Sequence, residues 1–456
     1  MVQHLAEKAV SIVGLGYVGL PLAVLCAEKK FSVSAIDIDR KKIELINKGI
    51  CPLKDKHLEM ALSKVKLQAT PDFSRIKDTD IVVVCVPTPV DHKYNPDLRP
   101  LKSACEPVQQ NLRKDHLVII ESTINPGVCE EVVLPILEKS GLQCGVDFHL
   151  AHCPERIDPG NKSWNVRNIP RVVGSTSKLG LHRALLFYQS IIEAQITPMC
   201  SIKEAEATKI VENTFRDINI AFVNELAKSF DKLGIDIMEV IKGASTKPFA
   251  FMPHYPGCGV GGHCIPVDPY YLIEHARKNG FDHKLLRLAR EINNGMPNYT
   301  VDLLVEMLNK LEKSVKGTRV GVLGISYKRN VADDRESPSY EIIKHLKKRE
   351  AKVIVYDPNF PEKSDVKSLS SFLHSCEAVI LCCNHDEFMR LKPADFENAG
   401  VKVLIDGRNS YKKTLFAKSS VLYKGIGTIS PRKYVKAGKM SSLYIGASPE
   451  PGKVGS

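Results

Sequence analysis

The stretch YPGCGVGGHCIPVDPYY, residues 255–271, holds four glycines, three prolines and two cysteines in seventeen positions. No helix survives that composition and a strand hardly can, because glycine frees the backbone while proline fixes φ and removes a donor. Cys264 stands with glycines on one side and prolines on the other. A thiol so placed is open to a ligand crossing the glycines and is held still by the prolines. Most cysteines are small buried hydrophobes, and Cys85 in IVVVCVP and Cys382 and Cys383 in AVILCCN read that way. Cys264 does not. Asp268, four residues on, is placed to orient a base or a water.

Lys209 and Asn213 are spaced i, i+4 in a helical stretch, so they share a face. Thr123 in ESTINPG and Glu155 in CPERIDPGN close apolar, strand-like runs. Taken singly, these four are a solvated helix face and ordinary polar strand ends. Together with a dinucleotide site they become a thiol nucleophile, a cation, an amide and carboxylates. That set fits oxidation of an aldehyde through a thiohemiacetal and a thioester.

The dinucleotide site is in AVSIVGLGYVGLPLAVLCAEKKFSVSAIDID, read as strand, glycine turn, helix, strand. Gly14 allows the tight turn, Gly16 lets backbone amides approach a pyrophosphate, and Gly19 lets the helix pack on the strand. The helix N-terminus favours phosphate. Asp37 ends the next strand, where a carboxylate holds ribose hydroxyls and repels a 2′-phosphate, so NAD is expected over NADP. Residues 9–27 carry no charge, but three glycines and a proline in their middle fit a strand, turn and buried helix better than a membrane span.

Further strands are expected at 80–90, 116–123 and 147–155, as near-continuous apolar runs of the kind buried on both faces of a parallel sheet. A long amphipathic helix begins at Ser201, where Ser201 and Glu204 form a capping box, and stops at Gly234. More helix follows to about 313, interrupted by the Cys264 loop. A second βα alternation starts at TRVGVLGI, residues 318–325, with strands at 351–357, 377–383 and 401–407 and no GxGxxG. The segment after 427 is rich in Gly, Pro, Ser and Lys and is expected as a disordered tail.

At 456 residues the chain is too long for one core. Lys plus Arg outnumber Asp plus Glu, 64 to 52, which suits an anionic partner. The basic residues are scattered and few aromatics lie among them, so nucleic acid is not the expected partner. Thirteen cysteines without CxxC spacing argue for a reducing cytoplasm and against both a disulfide framework and a structural metal.

On the motifs GLGYVGLPLA, VCVPTP, ESTINPG, CPERIDPGN, EATKIVENTFRDINIAFVNELA, PGCGVGGHCIPVDPYYL, GVLGISYKRNVADDRESPSYEII and YDP, the chain resembles the UDP-glucose/GDP-mannose dehydrogenase family over residues 8–425. The resemblance implies an α/β fold with two Rossmann-like, doubly wound domains flanking a helical middle domain. The expected divisions are an NAD-binding domain at 1–198, a middle and dimerisation domain at 199–314, a UDP-sugar-binding domain at 315–427 and the tail at 428–456. It implies oxidation of a sugar C6 hydroxyl to a carboxylate with two NAD, no release of aldehyde, and a homodimer or higher homo-oligomer.

By the same resemblance Cys264 matches the nucleophile, Lys209 and Asn213 the pair that stabilises the oxyanion, and Asp268 the acid that moves protons with that lysine and a water. Glu155 matches the glutamate of thioester hydrolysis and Thr123 the threonine that positions water. NAD would meet Gly14, Gly16, Tyr17, Val18, Gly19, Asp37, Pro87, Thr88, Thr123 and Arg335. The sugar nucleotide would meet Glu155, Arg156, Lys209, Asn213, Tyr255, Gly261 and Lys328. CPERIDPGN and STKPFAFMPHYPG look most like the UDP-N-acetylglucosamine branch, with UDP-N-acetylmannosamine and UDP-glucose as alternatives. The glycines of the Cys264 loop are expected to let a UDP-sugar and a nicotinamide reach one sulfur. Cys258 replaces a more usual proline, which either loosens the loop or adds a thiol beside the nucleophile, and ESTINPG departs from the commoner STTYPG.

Two other classes compete. A non-catalytic NAD-binding interaction protein would be expected to lack Cys264, Lys209 or Asn213. A cysteine hydrolase would need a base for the thiol, for which His263 is the sequence neighbour, but no Asp37.

Overall fold

Runs of Val and Ile build the first sheet, because β-branched side chains suit a pleated surface packed on both faces. The computed structural model of the chain describes residues 9–53, 55–91, 96–157, 161, 163–262 and 264–429. His263 and the expected tail from 430 onward lie outside the described residues. The strands are β1 (Ala9–Val13), β2 (Ser32–Ile36), β3 (Gln68–Thr70), β4 (Ile81–Val84), β5 (Leu117–Ile120), β6 (His149–His152), β7 (Arg171–Ser175) and β8 (Ile196–Pro198). Between them run α1 (Gly19–Glu28), α2 (Arg40–Asn47), α3 (Lys56–Leu62), α4 (Arg99–Gln110), α5 (Leu134–Leu137) and α6 (Lys178–Ile191). The order across the sheet is β3-β2-β1-β4-β5-β6-β7-β8.

All pairings in that sheet are parallel except β6 with β7, which is antiparallel. Every residue of β4 and β5 is wholly buried, and apolar clusters cover both faces. The chain moves outward from β1 to β3 and then returns to β4, so the topological switch lies between β1 and β4. Ligands of open α/β sheets bind at the strand ends beside such a switch.

Four helices follow: α7 (Ile202–Leu233), α8 (Ile237–Ala244), α9 (Asp268–Lys278) and α10 (Lys284–Asn309). The expected capping box opens α7. Ser201 N donates to Glu204 Oε2 at 2.7 Å and Glu204 N to Ser201 Oγ at 3.3 Å. Gly234 ends it with φ of +70°. The second sheet has β9 (Arg319–Leu323), β10 (Lys352–Tyr356), β11 (Ala378–Leu381), β12 (Val403–Asp406) and β13 (Leu422–Gly425), with α11 (Pro338–Lys348), α12 (Leu369–Ser375) and α13 (Pro393–Asn398). Its order is β10-β9-β11-β12-β13, all parallel, with the switch between β9 and β11. By contacts the chain forms two bodies, one of residues up to 216 with 267–286, the other of 217–266 with everything from 287 on. No helix among the described residues is long and apolar enough to cross a membrane.

The two sheets repeat one turn. Gly14 and Gly324 each follow the strand at the switch, each with φ of +91°. Gly14 N donates to Ile36 O and Gly324 N to Tyr356 O, both at 2.8 Å. An aspartate closes each turn: Asp37 accepts from Leu15 N at 2.7 Å, and Asp357 from Ile325 N and Ser326 N at 2.8 Å. Asp357 also accepts from Ser326 Oγ at 2.9 Å and from Asn359 N at 2.8 Å, and its Oδ2 lies 3.2 Å from His385 Nε2.

Gly19 starts α1, and a Cβ there would stand 1.9 Å from Gly14 O. That overlap is with backbone, which cannot swing aside. Gly19→Ala is therefore expected to destabilise the first body by about 1–3 kcal/mol or more and to abolish dinucleotide binding. Thermal unfolding with a cofactor titration checks this, and an unchanged unfolding temperature would refute the packing argument.

Candidate functional site

In the first body the dinucleotide turn fits NAD. A Cβ on Gly16 would meet no atom within 4 Å, so the space beside that backbone is open, while Gly14 and Gly19 are tightly enclosed. Tyr17 is partly exposed and Val18 half-buried at the mouth of α1. Asp37 is buried. Burial pushes its carboxyl up, but the Asp39 amide, the Lys42 ammonium and the Leu15 amide together hold it below the usual carboxylate range. It is thus an anion at neutral pH, a charge of the kind that suits ribose hydroxyls. Lys42 Nζ, 2.9 Å from Asp37 Oδ2, was not singled out from the sequence. The signal was there: Asp39 caps α2, which sets Lys42 in the first turn, facing back to Asp37.

The loop after β4 carries Pro87, exposed, and Thr88, half-buried. Thr88 Oγ1 donates to Thr123 O at 2.6 Å, and Tyr271 on α9 donates its hydroxyl to Thr88 O. This ties the ends of β4 and β5 together beneath α9. On α7, Glu206 accepts from Gly127 N at 2.5 Å and Cys129 N at 2.8 Å. That clamp fixes the turn after Thr123 against the helix. One turn farther on, Lys209 Nζ donates to Thr123 Oγ1 at 2.5 Å. Asn213 Nδ2 then donates to Asp268 Oδ2 at 2.5 Å. Four residues chosen from the sequence thus meet as two part-buried pairs, Lys209 with Thr123 and Asn213 with Asp268, the Lys209 charge acting on Asp268.

Asp268 is 1% exposed. Burial pushes its carboxyl up to about 6, against the opposing pull of Lys209 and Asn213. His152, at the end of β6, is also buried, with Nδ1 unpartnered. Burial and the Lys209 charge push it down to about 3, so it stays neutral. A fixed ammonium, an amide donor and a carboxyl poised near neutrality can stabilise developing oxygen charge and take up a proton.

Glu155 is buried, with Oε1 accepting from Arg156 N and Ile157 N at 2.7 Å and Oε2 ion-paired with Arg171. Arg156 is half-buried and bidentate to Glu212, through Nε at 3.1 Å and Nη2 at 2.5 Å. Neither Arg171 nor Glu212 was singled out from the sequence, since nothing in their spacing marks them as partners.

The second body holds the Cys264 loop, and here one expectation is corrected. The glycines make room for protein rather than ligand. A Cβ on Gly259 would lie 2.7 Å from Pro338, on Gly261 2.8 Å from Tyr327, and on Gly262 2.9 Å from the Tyr327 ring. The loop is pinned by Gly257 N to Asn224 Oδ1 on α7 at 3.0 Å, Cys258 N to Gly407 O at 2.9 Å, and Gly262 N to Arg335 O at 3.1 Å. Close packing on the turn after β9 is what demands glycine. Cys264 follows, half-buried. Cys258 is wholly buried, its Sγ 3.8 Å from Cys382 O, so it packs as core rather than standing open beside Cys264. Lys328 is half-buried on that same turn. Arg335 is exposed and pairs with Asp333, Nε to Oδ1 at 2.9 Å. Tyr255, more than half exposed, stands at the loop's start. All thirteen cysteines are thiols rather than disulfides.

The Asp268 shift predicts a stability cost. Its folded pKa lies above the unfolded value, so the folded state binds the extra proton between about pH 4 and 6 and stability falls as pH rises through that window. Asp268→Asn keeps an acceptor for Asn213 and removes the buried charge. At pH 7 it is expected to be more stable than wild type by roughly 2–3 kcal/mol, with no gain at pH 3.5, as measured by denaturant unfolding at both pH values. Equal stability of the two proteins at pH 7 would remove the strain argument.

The comparisons with known proteins agree with this geometry. The chain matches the NAD binding domain of the UDP-glucose/GDP-mannose dehydrogenase family over residues 8–192, the central domain over 203–295 and the UDP binding domain over 321–413. The UDP-N-acetyl-D-glucosamine 6-dehydrogenase of Pseudomonas aeruginosa is 38% identical over 406 residues, 86% of this chain and 94% of that one. The UDP-N-acetyl-D-mannosamine dehydrogenase of Pyrococcus horikoshii is 35% identical over 426 residues, 92% of this chain and 99% of that one. A solved structure of UDP-D-ManNAc dehydrogenase from Pyrococcus horikoshii superposes with a TM-score of 0.86 at 34% identity, covering 92% of this chain and 99% of that one. With all three domains matched in order and the dinucleotide turn intact, the chain belongs to the UDP-glucose/GDP-mannose dehydrogenase family and is an NAD-dependent UDP-sugar dehydrogenase.

Proposed function

We propose that this enzyme oxidises the C6 hydroxyl of a UDP-N-acetylhexosamine, UDP-N-acetylglucosamine foremost, to the carboxylate. The observation that carries the reading is the two part-buried pairs, Lys209 on Thr123 and Asn213 on Asp268, in the body that holds the dinucleotide turn. NAD held at the dinucleotide turn would serve as the hydride acceptor, a separate equivalent for each of the two successive oxidations. Asp268 takes the hydroxyl proton. Lys209 and Asn213 stabilise the charge that grows on the C6 oxygen. The Cys264 thiolate adds to the aldehyde carbon to give a thiohemiacetal, which becomes a thioester at the second oxidation. Water then cleaves the thioester, held by Thr123 and served by Glu155, and frees Cys264 and the acid. Support for an N-acetylhexosamine comes from the relatives, whose names include both the gluco and manno epimers.

We further propose a homodimer or higher homo-oligomer in a reducing cytoplasm. Val211, Phe215 and Phe222 on α7 stand about half exposed, an apolar stripe suited to a second copy, and the thirteen thiols suit a reducing compartment.

The substrate reading is tested by NADH formation from UDP-N-acetylglucosamine, UDP-N-acetylmannosamine, UDP-N-acetylgalactosamine and UDP-glucose at fixed NAD. Highest kcat/KM is expected with the first. A preference for UDP-glucose would overturn the N-acetylhexosamine class.

The mechanism makes a sharper demand. In single turnover with excess NAD, wild type yields two NADH per sugar. Cys264→Ala stops after one at most, while Cys258→Ala still yields two. Two NADH per sugar at the wild-type rate from Cys264→Ala would exclude the thiol as nucleophile.

Lys209→Ala is expected to lower kcat by about 10²–10³ while binding of the UDP-sugar changes little. Steady-state kinetics with a direct binding measurement separate this from a role in gripping the pyrophosphate, which would show as lost affinity with near-normal kcat.

A further inference from the structure

The first body buries a second acid for which the reaction as read has no use. Glu121 follows β5, two residues before Thr123, and is 1% exposed. Arg171, the first residue of β7, is wholly buried between Glu121 and Glu155. Its Nη1 lies 3.1 Å from Glu121 Oε1, and its Nη2 pairs with Glu155 Oε2. Tyr188 on α6 donates its hydroxyl to Glu121 Oε1 at 2.6 Å, and the Cys85 thiol reaches Oε2 at 3.7 Å. Two carboxyls therefore share one guanidinium out of contact with water. Buried acids are rarely kept without a partner or a task, and here the shared partner leads straight to Glu155.

We propose that Glu121 and Arg171 are positioning residues for Glu155: the guanidinium, divided between two acids, sets how strongly the Glu155 carboxylate is held and so how well it serves water in release of the acid from Cys264. The inference rests on the reading of Glu155 as the residue of thioester hydrolysis. No oxidant or further reactant is involved. The thioester C–S bond breaks, water supplies the hydroxyl of the acid, and one water proton passes to Glu155.

The electrostatics have a definite sign. An anion near a carboxylate raises its affinity for protons, and a cation lowers it. When Glu121 is ionised it competes with Glu155 for the Arg171 guanidinium, and the Glu155 carboxylate is held less firmly. When Glu121 is protonated, Arg171 serves Glu155 alone. Burial pushes Glu121 up to about 7, with Arg171 pulling down and Glu155 pushing up again. The other groups facing it are Cys26 on α1, Cys85 after β4, Cys153 after β6 and Tyr188 on α6, and burial drives all four upward, so they keep their protons there. Acid release should therefore speed up as pH rises through about 7.

The test is the rate of loss of the covalent sugar adduct, followed by quenched-flow mass spectrometry of the full-length enzyme across roughly pH 6 to 8.5. Glu121→Gln still accepts from Tyr188 but carries no charge. Its deacylation is expected to lose the rise near pH 7 and to stay at the slow, low-pH level, about tenfold below wild type at pH 8, with KM for the UDP-sugar unchanged. Arg171→Lys, which keeps the charge, should retain the pH-dependent rise, whereas Arg171→Met should not. A Glu121→Gln enzyme with the wild-type profile overturns the proposal. Where Glu121→Gln does not fold, the Arg171→Lys and Arg171→Met pair decides: identical profiles overturn it, divergent ones uphold it. Glu155→Gln separates this inference from its premise. Normal deacylation there removes Glu155 from hydrolysis and the inference with it, while slow deacylation there and a wild-type profile in Glu121→Gln sinks the inference alone.

Discussion

The two hydrogen bonds that Glu206 accepts from Gly127 N and Cys129 N hold the candidate site in register. Glu206 is a buried acid on a helix, which is costly unless its lone pairs are filled. Filling them with amides of the turn after β5 locks α7 to that turn, and helical spacing then brings Lys209 onto Thr123 and Asn213 onto Asp268. Glu206 is 1% exposed, so this seam excludes water, and burial pushes its carboxyl up even with both amides in place. The accuracy of the site is thus set by one helix and one turn, and the sheet supplies only the strand ends.

The elements that were legible in the sequence are those whose signal is local. GxGxxG with Asp37, the Ser201–Glu204 box and Gly234 each act within a few residues, and the tight turn, the capping box and the helix stop all appear in the structure. Strand cores were legible as Val and Ile runs, though each strand is shorter than its apolar run, because Cys85 to Thr88, Ser122, Thr123 and Cys153 to Glu155 run on beyond the paired strand residues as loops. β13 was missed because LYKG is short and borders a tail-like composition, and the antiparallel β6–β7 pairing because register between distant segments leaves no local trace.

The site shows the same division. Residue types at motif positions were legible, but their long-range partners were not. Arg171 lies fifty residues from Glu121 and Glu212 fifty-six from Arg156, separations at which sequence carries no geometry. The Cys264 loop is the instructive case. Its glycines mark close approach, as glycine does, yet the approaching group is Tyr327 and Pro338 of the same chain. Composition reveals that something must come near and not what it is. Cys258 makes the same point, since a cysteine in a glycine-rich loop proved to be as buried as any core residue.

The repeated turn in the two sheets has a further consequence. In the first sheet Asp37 is buried and accepts from Leu15 N, Asp39 N and Lys42 Nζ. In the second, Asp357 is wholly buried and its oxygens are already engaged by Ile325, Ser326, Asn359 and His385. The second turn repeats the shape of the first, with its aspartate more heavily engaged. The family match assigns NAD to the first sheet and UDP to the second, while the reaction we propose consumes two equivalents of NAD. In that proposed reaction the half-oxidised sugar has to stay while the spent carrier leaves and a fresh one arrives. A covalent tether to sulfur satisfies that queueing requirement, because it keeps the intermediate in place however long the exchange takes.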